Sequence, residues 1–67
     1  LDDASSNANA ALQMLVHVGK ANVDDDLIRR IAARLDDRDM KVLRKAQPLM
    51  PGWMSDAVLK MSMVRHG

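Results

Sequence analysis

Sixty-seven residues make one domain at most, and a chain of this size buries only about 60% of the surface its unfolded form exposes. Apolar residues are 48% of the chain, yet Trp53 is its only aromatic residue, and all nine acids are aspartates. The absence of cysteine excludes disulfides, thiolate metal sites and thiol catalysis, while the net charge of +1 conceals a sharp asymmetry along the chain.

The opening stretch, Leu1 to Asn7, is small and polar and is expected to be flexible. With Leu1 and not methionine at its start, the chain is expected to be a piece of a longer protein. Ser6 or Asn7 is a good N-cap for a first helix over about residues 8–18. There Ala8, Ala11, Leu12, Leu15 and Val16 recur every three or four positions as one apolar stripe. Gly19 stands just past its end, where a left-handed residue is favoured.

Val23-Asp24-Asp25-Asp26-Leu27-Ile28 is a strong helix start. Asp24 caps, Asp25 and Asp26 face the positive end of the helix dipole, and Val23 and Ile28 can close a hydrophobic staple. Leu27, Ile28, Ile31, Ala32 and Leu35 form the inner face, with Arg29, Arg30, Ala33 and Arg34 outside. Asp36-Asp37 ends this helix and caps a third over about residues 38–47, in which Met40, Leu43, Ala46 and Gln47 line one side. Pro48 stops it, and Leu49 and Met50 form a short apolar turn. Pro51 then suits the first position of a fourth helix, whose apolar face is Trp53, Met54, Ala57, Val58, Met61 and Val64. No segment alternates with period two. The fold expected is an all-α, compact bundle of about four short helices, one domain over residues 8–65. Its core is Leu12, Leu15, Val16, Leu27, Ile28, Ile31, Leu35, Leu43, Trp53, Val58 and Met61.

No enzyme chemistry, cofactor or metal is expected. Metal sites need three or four converging ligands, and the two histidines, His17 and the terminal His66, stand far apart in sequence. His17 flanks the apolar stripe and reads as a boundary side chain ahead of a pH switch. Capping accounts for Asp24-Asp25-Asp26 and for Ser55-Asp56, and adjacent helical residues do not face one another. The three glycines form no phosphate-binding loop. No apolar run approaches the roughly 18 residues of a membrane span, and no signal peptide opens the chain. A cytoplasmic location without a membrane partner is expected.

Six methionines in a chain without phenylalanine serve as flexible core filler or as an adaptable surface. Spacing assigns Met40, Met54 and Met61 to the core and leaves Met50 and Met63 as interface candidates. Trp53 is a core anchor by preference and an interface anchor by alternative.

Charge has the most functional reach. Residues 1–28 hold five aspartates against Lys20, whereas residues 29–45 hold Arg29, Arg30, Arg34, Arg38, Lys41, Arg44 and Lys45 against Asp36, Asp37 and Asp39. Arg30, Arg34, Arg38, Lys41 and Lys45 can form a stripe over the second and third helices, suited to phosphates. The alternative is a solvated face partly paired with Asp36, Asp37 and Asp39. A DNA-reading helix–turn–helix would carry a turn glycine. Here the turn is Leu35-Asp36-Asp37-Arg38, whose acids repel phosphate.

The run VDDDLIRRIAARLDDRDMKVLRKA, followed by LMPGWMSDAV, resembles the C-terminal helical region of bacterial abortive-infection type IV antitoxins, the AbiEi-like regulators. The resemblance covers about residues 10–60. It rests on the valine-containing link into Leu27-Ile28-Arg29-Arg30, the Leu35-Asp36 junction, and the entry Pro51-Gly52-Trp53-Met54. It implies an N-terminal winged helix–turn–helix that represses the operon, and a C-terminal part that neutralises a nucleotidyltransferase-like toxin. Two readings follow. In the first, the chain is a non-enzymatic interaction domain that docks on a toxin, on its own DNA-binding domain or on a second copy, with DNA contacted through the full-length protein. In the second, it is a small nucleic-acid-binding module using the block from Arg29 to Lys45.

Overall fold

The computed structural model describes residues 6–66, and the expected helices appear in order. They are α1 (Ser6–Val18), a 3-10 turn (Lys20–Asn22), α2 (Asp25–Ala32), α3 (Asp37–Ala46), a second 3-10 turn (Gln47–Leu49) and α4 (Gly52–His66). Among the described residues there is no strand. The helices pack with non-neighbours in sequence: α2 lies along α4 and α1 against α3, and α3 also touches α4. The result is a small all-α bundle.

Its centre is built from Leu15 of α1, Ile28 and Ile31 of α2, Leu43 of α3, and Val58 and Met61 of α4. Met40 and Met54 join them, the flexible thioethers filling space that an aromatic-poor sequence leaves open. Leu12, Leu27 and Trp53 are only partly buried, packed against the edge of this cluster. Trp53 is therefore a shoulder of the core and not its anchor.

The ends of the helices follow local chemistry. The Asp24 carboxylate accepts the Leu27 N–H at 2.8 Å, with Val23 half-buried and Ile28 buried behind it, as the staple requires. At α3 the cap is reciprocal: Asp36 accepts the Asp39 N–H at 2.8 Å, and Asp39 accepts the Asp36 N–H at 3.1 Å. Two orphan donors are satisfied together. Gly19 has φ 87° and ψ 153°, a positive φ as expected, but in a region essentially confined to glycine instead of the left-handed helical one. Nothing lies within 4 Å of where a Cβ would sit, so backbone strain alone opposes a side chain. Gly19→Ala should lower stability by on the order of 1 kcal/mol, read from the midpoint of urea unfolding. An unchanged midpoint would show that the turn relaxes freely.

Several expectations need correction. α1 begins at Ser6, so the helix takes in Ser6 and Asn7 ahead of the expected start at residue 8, while residues 1–5 of the expected flexible segment lie outside the described residues. Val16 is not core: it is 64% exposed, because it sits about 100° around the helix from Leu15 and α3 covers only the Ala8–Ala11–Leu15 side. α2 ends at Ala32, and Leu35 stays buried from the turn that follows. Pro51 precedes α4 instead of opening it, its carbonyl accepting the N–H groups of Met54 and Ser55. Val64 is exposed because it lies about 90° around α4 from the buried line of Met54, Val58 and Met61, while Arg65 beside it reaches the α2–α3 turn.

Candidate interaction surface

The seven bases between Arg29 and Lys45 are all exposed, but they do not form one stripe. Arg30 lies on one flank of α2, and Arg34, in the turn just beyond the helix, borders the same groove, while Arg29 falls on the other flank. Arg38, Lys41 and Lys45 occupy the outer face of α3, opposite buried Met40 and Leu43, and Arg44 stands on its flank one turn on from Met40. α2 and α3 pack mainly on α4 and α1, not on each other, so the two basic groups belong to separate helix faces.

The interleaved acids do not pair with this block as expected. Asp39 is 2% exposed, its carboxylate turned inward to the Asp36 N–H. Asp37 pairs with Arg65 of α4 at 2.7 Å. Asp36 is held below the ordinary aspartate value of 3.8, chiefly by the Asp39 backbone N–H, with Arg38 adding a smaller attraction. It therefore stays ionised within the cap. The pair that does form within the segment is Asp26–Arg30 at 3.0 Å, between neighbouring turns of α2 and largely solvated, a geometry that contributes little.

Arg30 and Arg34 border a groove of about 280 Å³ between α1 and α2. Its walls are mostly apolar, with Ala10, Ala11 and Met14 on one side and Leu27 and Ile31 on the other. Met14 is exposed there. A second, shallower depression of about 180 Å³ lies beside Trp53, between α4 and the start of α2. Of the interface candidates, Met63 is exposed as expected, but Met50 is half-buried and packs against the core. His17 points to solvent, consistent with a boundary position. Among the described residues no group of three or more His or Asp side chains could hold a metal ion, and no helix is long and apolar enough to cross a membrane.

Two structural side chains escaped the sequence reading. Arg65 donates to the Leu35 carbonyl and to Asp37, bridging the end of α4 to the α2–α3 turn. Asp39 is buried while looking like one more surface acid. The Asp-x-x-Asp spacing of Asp36 and Asp39 was a legible signal for the second, whereas nothing in the sequence indicates the first. Comparison with family models, curated proteins and solved structures finds no match for this chain.

Proposed function

We propose that this chain is a non-enzymatic helical interaction domain working through protein–protein contact in the bacterial cytoplasm, like the C-terminal part of the type IV antitoxins it resembles. The observation that supports this reading is the apolar groove between α1 and α2 with Arg30 and Arg34 at its edge. Apolar walls reward burial, and guanidinium groups at the rim favour a partner segment that carries carboxylates beside apolar side chains. The occupant we assign is a segment of the toxin. Operator DNA is then read by the rest of the protein. Replacing Arg30 and Arg34 by Asp in the protein as encoded should abolish toxin neutralisation and spare operator binding. A double variant that still neutralises its toxin but no longer represses its operon would reverse the assignment.

One observation favours the nucleic-acid reading. Asp37 and Asp39 are engaged with Arg65 and the α3 cap, which leaves Arg38, Lys41 and Lys45 together on the outer face of α3. Phosphate contacts would show as an affinity that falls with log salt by about one unit per contact, uniformly across sequences. An apolar docking contact changes little over the same range.

A further inference from the structure

The outward side of α4 is unusual for a small bundle, because it is apolar as well as charged. Met63 is 66% exposed, and Leu59 and Val64 are each close to half exposed. Along the side next to the start of α2 the order is Trp53, Asp56, Lys60, Met63, a three-four-three spacing that makes a straight seam on a helix. Asp56 and Lys60 are exposed, and among the described residues neither is in an ion pair although they stand one turn apart. Beside them is the depression at Trp53, which Val23 and Ile28 line together with the charged Lys20, Asp24 and Asp25.

We infer that this face docks a second copy of the same chain, with the two α4 helices antiparallel about a two-fold axis on the seam side, midway between Asp56 and Lys60 along the helix. The three-four-three spacing of the seam reads the same under that rotation, so each position falls opposite a different member of the seam. Asp56 of one copy meets Lys60 of the other, and the reverse pair forms by symmetry, as an isologous interface demands. Met63 meets Trp53 of the other copy, a sulfur–aromatic contact. Val64 meets Gly52, where nothing lies within 4 Å of the Cβ position and a second helix can approach closely. The charge pattern selects a second copy over another protein, since each seam position finds its complement on the same helix. The surface lies on the other flank of α2 from the groove with Arg30 and Arg34, so both can be occupied together.

Sedimentation equilibrium of the 67-residue chain, run over a wide concentration range, tests this. The unaltered chain should associate to a dimer. Asp56→Lys or Lys60→Asp alone should weaken association by about tenfold or more, because each places like charges opposite one another twice. The double exchange Asp56→Lys with Lys60→Asp should restore it to within about threefold, since complementarity returns. Met63→Ser should weaken the dimer without touching the charges. All four changes fall on exposed positions, and far-ultraviolet circular dichroism verifies that each variant is folded. A chain that stays monomeric throughout, or a dimer indifferent to the single reversals, overturns the inference. Single reversals that weaken association without rescue by the double exchange also overturn it, because the reciprocal pairs would then be absent.

Discussion

Ile31→Ala is expected to bring the domain close to unfolding in the absence of denaturant. Ile31 is buried on the inner face of α2, the helix with the most extensive packing on α4. Truncating a buried isoleucine costs about 2–5 kcal/mol through lost transfer energy and the cavity left behind. A domain of this size has about 5 kcal/mol in total. Few neighbours can collapse into the gap, because α2 has only two turns and its other inward positions, Ile28 and Ala32, are already engaged. Urea unfolding followed by circular dichroism at low protein concentration gives the change directly. Val16→Ala is the matching control: Val16 lies outside the core, so its truncation should move stability by no more than about 0.5 kcal/mol. If the two variants unfold alike, the assignment of the inner face of α2 is wrong.

Arg65→Ala should lower stability by about 1.5–3 kcal/mol, the range for hydrogen bonds to a charged group. The guanidinium reaches from the end of α4 to the Leu35 carbonyl and to Asp37, and so ties the α2–α3 turn to a helix thirty residues away. The two contacts are unequal. The Asp37 side chain is 95% exposed, and an ion pair so solvated contributes little. The Leu35 carbonyl is partly buried, and losing its donor leaves an acceptor poorly satisfied. Asp37→Ala should therefore cost much less than Arg65→Ala. Arg65→Lys should recover only part of the loss, because an ammonium lacks the planar fork that serves both acceptors. Equal losses for Asp37→Ala and Arg65→Ala would make the ion pair the working contact and refute this ordering.

What the sequence determined by itself is whatever acts within about one helical turn. Asp24 and Asp36 each precede an apolar-periodic run, and both cap as their spacing requires. Gly19 closes α1 with a positive φ, and Pro48 keeps α3 from continuing. The inner positions of α2 were legible because Ile28, Ile31 and Ala32 recur on one side while every base recurs on the other.

Tertiary structure decided the rest, because each remaining outcome depends on which element covers which. Leu15 and Val16 are both apolar neighbours on one stripe, yet only the first is under α3. Trp53 is a shoulder because α2 and the turn before it stop short of covering it. The single basic stripe divides because α2 leans on α4 and α3 on α1, which no count of charges along the chain reveals. Arg65 looks like a tail residue until the fold brings the Leu35 carbonyl within its reach. Caps and periodicity depend on contacts three or four residues apart, whereas burial and charge pairing depend on contacts across the bundle.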